Sequence, residues 1–298
     1  MEIARVRRAA ERIAGRVRRT PLLRSTWLSD LAGGDVYLKC ENLQVTGSFK
    51  IRGAVAAIGD GPVIAASAGN HGIALATAAR DAGVSCTIAV PRGVPAVKEE
   101  KIRALGATLL KSPFDGYDDT EAWARERAGG ARWVSAYDDP DVIAGNGGTT
   151  ALEILDEADV EAIVVPCGGA GLAIGAGIVT RVIAVNTDAS CALWASWRDG
   201  RAHERFDSKP TIAEGLEGGI SRINYERSRE FVADVLVVPE ASLGPAVRDV
   251  ALRERMVIEG SAAAGVAAAA AGLIRHKRFA VVLTGSNIDA SRFAALLA

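Results

Sequence analysis

The sequence predicts an α/β protein made of two open parallel-sheet α/β units. Short β-branched runs alternate with Ala-rich helical runs along the chain, as in parallel sheets covered by helices on both faces. Three of the strands end in small-residue loops, and ligands of open α/β sheets bind at the carboxyl ends of strands. The length, 298 residues, suffices for one large or two modest domains with a real core.

Taken in order, Met1 to Arg19 reads as a helix, with Ile3, Val6, Ala10, Ile13 and Val17 on one face and arginines elsewhere. Arg-rich targeting peptides look similar, but Glu2 and Glu11 interrupt the stretch and no serine-rich segment follows, so it reads as the first helix of the fold. Strands are expected at Val36–Cys40, Pro62–Ala66, Ser85–Val90, Ala107–Lys111 and Arg132–Ser135. Helices at Gly72–Ala82, Ala96–Leu105 and Tyr117–Arg127 separate them. A turn-rich break at Tyr137–Gly148 precedes a second set of strands at Ala162–Pro166, Val182–Asn186, Asp234–Val238 and Ala280–Thr284. Its helices include Leu243–Arg255 and the very Ala-rich Ser261–Ile274. The expected division is a large domain of residues 1–58 and 140–298 and a small domain of residues 59–139.

Composition narrows the function classes. Hydrophobic residues make up 49% and charged residues 24%, an ordinary globular balance. A net charge of −1 and a pI near 6.4 point to no nucleic-acid or anionic-membrane partner. No apolar run reaches membrane-spanning length without a glycine-rich loop or a charge. Cys40, Cys86, Cys167 and Cys191 lack metal-ligand spacing and read as buried free thiols of a reducing cytoplasm. His71, His203 and His276 are scattered, so no Cys/His metal site is expected.

Four segments carry chemistry. In Thr46-Gly47-Ser48-Phe49-Lys50, a lysine follows a tight turn and begins an amphipathic run. Burial and a helix N-terminus both disfavour the ammonium form, so such a lysine can serve as a neutral nucleophile or base, as carbonyl cofactors require. Ser67-Ala68-Gly69-Asn70-His71-Gly72 follows a strand and opens a helix; its backbone N–H groups suit a carboxylate or phosphate, and Asn70 can donate to a phenolate-type oxygen. Gly168-Gly169-Ala170-Gly171-Leu172 looks like a phosphate cradle. A dinucleotide fingerprint is incomplete there, because the third glycine position is Ile174 and the next strand ends in Asn186 rather than an acidic residue. Leu283-Thr284-Gly285-Ser286-Asn287 places a hydroxyl at a strand end, able to hydrogen-bond a ring nitrogen but not to protonate it. Alone, each of the three loops also reads as an ordinary strand-ending turn.

Together with Thr211-Ile212-Ala213-Glu214-Gly215-Leu216, these segments resemble the fold-type II pyridoxal-phosphate enzymes (tryptophan synthase β-like), in particular threonine and serine dehydratases (ammonia-lyases) and serine racemases. The resemblance runs from about Thr20 to Asp289. It implies pyridoxal 5′-phosphate in the cleft between the two domains, linked to Lys50 as a Schiff base. It places Phe49 against the ring, Asn70 at its 3′-oxygen, Gly168, Gly169, Ala170, Gly171 and Leu172 around the phosphate, and Thr284 at the pyridine nitrogen. Glu259 is placed near the ring. Ser67, Ala68, Gly69, Asn70 and His71 hold the substrate carboxylate through backbone and side-chain donors. The implied reaction is loss of the β-hydroxyl from L-threonine or L-serine, giving a 2-oxo acid and ammonia. Serine or aspartate racemisation, hydroxyaspartate dehydration, β-replacement and a catalytically silent amino-acid-binding relative stay open, and a homodimer is the family expectation.

The departures are specific. Ala170 stands where many relatives have glycine, and a methyl is tolerated there if φ stays negative. Asn186 and Ala192 stand where metal-dependent members have carboxylates, so no metal is expected. Ala144-Gly145-Asn146-Gly147-Gly148-Thr149 has one residue more than the A-G-Q-G-T loop of relatives, a loop expected to border the site. Ala68 stands where racemases have serine.

Overall fold

The structure is a computed structural model describing residues 1–298. It contains ten strands: β1 (Leu22–Arg24), β2 (Asp35–Lys39), β3 (Val63–Ala66), β4 (Cys86–Val90), β5 (Thr108–Lys111), β6 (Arg132–Trp133), β7 (Ala162–Pro166), β8 (Val182–Thr187), β9 (Asp234–Val238) and β10 (Arg278–Val282). The α-helices before the second set of strands are α1 (Ile3–Ile13), α2 (Thr26–Ala32), α3 (Lys50–Ala57), α4 (Asn70–Ala82), α5 (Ala96–Ala104), α6 (Tyr117–Glu126), α7 (Pro140–Ile143) and α8 (Thr149–Glu157). Those after it are α9 (Gly171–Gly177), α10 (Ala192–Asp199), α11 (Arg222–Phe231), α12 (Leu243–Asp249), α13 (Gly260–Ala270) and α14 (Ala290–Leu297).

The strands form two sheets, as the alternation predicts. A six-stranded sheet runs β1-β2-β10-β7-β8-β9, and a four-stranded sheet runs β5-β4-β3-β6. Every pairing is parallel except β1 with β2. All nine expected strands are present, and β1 is an addition. It is three residues of edge strand, exposed on most of its surface, and too short to show a period. The last strand also shifts: β10 starts at Arg278, because it pairs along the whole of Asp35–Lys39, and ends at Val282. Thr284 therefore lies beyond the strand, on the segment that leaves its carboxyl end.

Packing explains the compositional extremes. Helix α13 is buried along almost its whole length against the large sheet, in a cluster with Val164, Ile183 and Val281. Alanines and Gly265 let it approach closely, since a Cβ on Gly265 would stand 2.9 Å from Val281. A second cluster fills the other face of the sheet, with Ile163, Val165, Ile174 and Ala280. A third joins α1 and α3 to β3, β4 and α4 through Val6, Ile13, Ile51, Val55, Leu75 and Ile88. Each fully buried Leu, Ile or Val in these clusters contributes about 1.5–3 kcal/mol. The run after Lys50 is not amphipathic: Ile51 to Ala57 are all buried, because α3 is wedged between α4 and the residues following α7.

Those residues correct the loop expected at 144–149. Ala144–Gly148 form a π-helical turn that makes α7 and α8 continuous, the usual accommodation of one inserted residue. The turn is buried against α1, α3 and α9 and does not line the cleft. Asn146 Oδ1 accepts the Gly53 N–H at 2.8 Å.

Candidate active site

The carboxyl ends of both sheets open onto one cleft of about 1270 Å³. Its walls include Phe49 and Lys50, Ser67 to His71, Gly168 to Leu172, Glu259 and Thr284.

Lys50 is the first residue of α3, whose start has no side-chain cap. The preceding turn is held by the segment after β10. Phe49 N donates to Thr284 O (3.2 Å), Ser286 N donates to Gly47 O (2.9 Å), and Ser48 bridges Gly285. Gly47 has φ +72° with the Asn287 side chain 3.1 Å from where a Cβ would stand, so the turn requires glycine. The Lys50 Nζ donates to Ala136 O at 3.1 Å and lies 5.1 Å from the Phe49 ring centre. Burial lowers its pKa to about 8, against the opposing pull of the Glu259 charge.

Two residues on, Arg52 is fully buried. Its guanidinium meets both oxygens of Glu41 (2.8 and 2.7 Å) and both of Glu153 (2.7 and 2.8 Å). Lys39, equally buried, reaches Glu153 and Thr20 O, each at 2.7 Å. Two cations thus face two carboxylates, and removing one partner costs about 3–5 kcal/mol. The network anchors the first turn of α3 and so the origin of the Lys50 side chain; Arg52 gave no sign of burial in the sequence.

At the asparagine loop, the expected roles are partly rearranged. Asn70 Nδ2 donates to Glu259 Oε1 (2.9 Å) and Oε2 (3.2 Å), and its Oδ1 accepts from Asn287 (2.7 Å). Burial raises Glu259 to a pKa of about 7, with the Asn70 hydrogen bond acting the other way. The His71 ring sets Nε2 against Val134 O at 2.9 Å and leaves Nδ1 unpartnered. Burial first, and the Lys50 charge second, hold its pKa down to about 4, so the imidazole is neutral. What His71 offers the cleft is its backbone N–H, with the neutral ring bonded to Val134 O. The amides of Asn70 and His71, in the first turn of α4, have no intrachain acceptor. Ser67 Oγ accepts from Gly69 N (3.3 Å), and Ala68 N donates to the Tyr117 hydroxyl (3.1 Å).

The glycine-rich loop is a tight cradle. A Cβ on Gly168 would lie 2.9 Å from Gly215 O, on Gly169 2.6 Å from the Tyr137 ring, and on Gly171 2.8 Å from Tyr137 O. The buried Asn224 ties the loop down, donating to Gly169 O and Tyr137 O at 2.8 Å each. The amides of Gly168, Gly169, Gly171 and Leu172 find no acceptor in the chain. Ala170 corrects an expectation: its φ is +66°, not negative. A left-handed alanine is strained, so Ala170→Gly is expected to raise stability by about 0.5–1 kcal/mol net of the added chain entropy. Urea unfolding with an unchanged m-value checks it. Asn186 is also committed, donating to Cys167 O (2.7 Å) and accepting from Trp194 N (3.1 Å).

These residues fit a phosphorylated carbonyl cofactor. The unpaired amides suit a phosphate, Lys50 supplies an amine of lowered pKa, and the buried Thr284 hydroxyl makes no hydrogen bond within the chain.

Comparison with known proteins agrees. The family model described as pyridoxal-phosphate dependent enzyme matches residues 13–285. The L-threonine ammonia-lyase of Thermotoga maritima is 38% identical over 95% of this chain and 75% of that enzyme. An L-threo-3-hydroxyaspartate ammonia-lyase of a Pseudomonas species is 34% identical over 97% of this chain and 96% of its own length. The crystal structure of serine racemase from Dictyostelium discoideum superposes with a TM-score of 0.89 at 30% identity, covering 97% of this chain and 99% of that one. With an amine of lowered pKa, a run of unpaired loop amides and a free hydroxyl lining one cleft, the chain belongs to the pyridoxal-phosphate dependent enzyme family, and pyridoxal 5′-phosphate is its cofactor.

Proposed function

We propose that the protein removes the β-hydroxyl of a small, uncharged L-amino acid, threonine or serine, to give a 2-oxo acid and ammonia. The observation that carries this reading is Lys50, an amine with a pKa of about 8 at the meeting point of both sheets. Similarity to threonine and hydroxyaspartate ammonia-lyases supports the elimination class. In this reading residues 59–139 form the small domain, and residues 1–58 and 140–298 the large one.

When bound, the cofactor supplies a sink for the electron pair left on the substrate Cα. Lys50 takes the α-proton as general base. The α4 amides hold the substrate carboxylate, and the Gly168–Leu172 amides hold the cofactor phosphate. Thr284 would be the residue to donate a hydrogen bond to the ring nitrogen, and a hydroxyl there would not protonate it. Asn70 would reach the 3′-oxygen with an amide that it shares with Glu259.

Two observations favour threonine or serine over the competing substrates. The cleft lining carries ten carboxyl side chains against six cations. Lys98, Arg125, Arg205 and Arg292 are already paired with Glu214, Glu121, Asp119 and Glu214. A second substrate carboxylate, as in hydroxyaspartate, enters a lining with more carboxyl than cationic side chains, in which Lys101, on Asn287 Oδ1, is the one cation besides Lys50 without a carboxylate partner. Racemisation needs a proton-carrying group on each face of Cα, and the buried methyl of Ala68 carries none, while the neighbouring Ser67 hydroxyl is turned onto Gly69 N.

The test is a panel of β-substituted amino acids assayed for 2-oxo acid and, with L-serine, for D-serine. Pyruvate should exceed D-serine by about a hundredfold, the scale of one missing acid–base group. L-threo-3-hydroxyaspartate should give a kcat/KM at least about tenfold below threonine, the scale of one like-charge contact near the surface. Comparable pyruvate and D-serine, or a preference for hydroxyaspartate, would sink the reading.

A further inference from the structure

Tyr117 belongs to neither the glycine-rich loop nor the lysine turn, yet its hydroxyl enters the asparagine loop. It is the first residue of α6, and α6 packs on β3 and β4 of the small sheet. Tyr117 is about half exposed and is part of the cleft lining. Its Oη accepts the Ala68 N–H at 3.1 Å and has no other intrachain partner, so the phenolic hydrogen is uncommitted. Burial pushes the phenol upward from its ordinary pKa, which keeps that hydrogen in place at neutral pH.

The neighbouring donors define what the hydrogen meets. Ala68 N–H is spent on Tyr117 and Gly69 N–H on Ser67 Oγ. The His71 ring is spent on Val134 O. What the loop offers an anion is the first-turn amides of α4, and beside them two uncommitted hydroxyl hydrogens: that of Ser67, whose Oγ only accepts from Gly69 N, and that of Tyr117, which comes from the other side of Ala68. Among the cations of the cleft lining, Lys98 is engaged with Glu214, Arg125 with Glu121, and Lys101 with Asn287 Oδ1.

We propose that Tyr117 is a substrate-binding residue whose hydroxyl donates to the amino-acid carboxylate held at the start of α4. The hydroxyl then works in both directions: it accepts from Ala68 N–H, fixing the loop, and donates to the carboxylate, fixing the substrate. This assignment rests on the amino-acid reading above and adds a residue from the small sheet to its carboxylate site.

The experiment is an absorbance titration of cofactor-loaded wild type and Tyr117→Phe with two ligands. L-alanine has a carboxylate but no β-leaving group; ethylamine has the same amine and no carboxylate. Phenylalanine keeps the ring and its packing. The expected result is an L-alanine Kd raised about ten- to a hundredfold, the scale of one hydrogen bond to a charged group, with the ethylamine Kd unchanged. In turnover, KM should rise in parallel with little change in kcat. An equal loss for both ligands would assign Tyr117 to loop structure alone, and no change in either would remove it from the site; both outcomes overturn the proposal. If wild type responds to no amino acid at all, the amino-acid reading falls, and this assignment falls with it.

Discussion

Lys50→Ala is expected to lower turnover by about 10³-fold or more while leaving the fold intact. The side chain leaves a polar cleft rather than a packed core, and its one hydrogen bond, to Ala136 O, leaves an acceptor facing the cleft. Two functions go at once. The amine no longer links the cofactor, and no base remains for the α-proton, a contribution worth about 10²–10⁴ on its own. Borohydride reduction of wild type followed by peptide mapping should put the cofactor label on Lys50. A label on Lys39 is excluded by its burial and its pairing with Glu153. The lowered pKa adds a pH signature. Only the neutral amine attacks a carbonyl, so the rate of cofactor capture by the apo-protein should rise about tenfold per pH unit up to about 8 and level off above it. A flat profile from pH 6 to 9, or residual turnover of Lys50→Ala within tenfold of wild type, contradicts the assignment.

Much of this site was legible because its parts are local. A β-branched run followed by small residues marks a strand end, and Ser67–Gly72 and Gly168–Leu172 each sit beside the strand that aims them. What was not legible depends on partners far apart in the chain. Arg52 looks like any helix arginine until Glu41 and Glu153 enclose it. Asn70 looks free until Glu259, 189 residues away, takes its amide. Tyr117 looks like a helix start until α6 carries it to Ala68. The Ala144–Thr149 stretch misleads differently. Its three glycines read as a loop, because glycine usually marks turns. Here they serve contact distance: a Cβ on Gly145 would stand 2.7 Å from Arg52 O, and on Gly148 2.6 Å from Val6.

That closeness gives Gly147→Ala a large expected structural effect. A methyl there would stand 2.1 Å from Leu172 O and 2.5 Å from Ala176 N, both backbone atoms of α9. Gly175, on the facing helix, is equally tight, at 2.1 Å from Ile143 O. No rotamer change relieves a clash between a Cβ and backbone, so the two helices must separate, at a cost of about 3 kcal/mol or more. Because α9 begins at Gly171, the separation also displaces the amides of the phosphate cradle. Lower stability and weaker cofactor retention should therefore appear together, the first as a lower urea midpoint and the second as loss of cofactor on desalting. Gly59→Ala is the control, since a Cβ there meets nothing within 4 Å and its φ is not positive. It should stay within about 0.5 kcal/mol of wild type. If Gly147→Ala matched that control, the contact between the π turn and α9 would not be what seats the cradle.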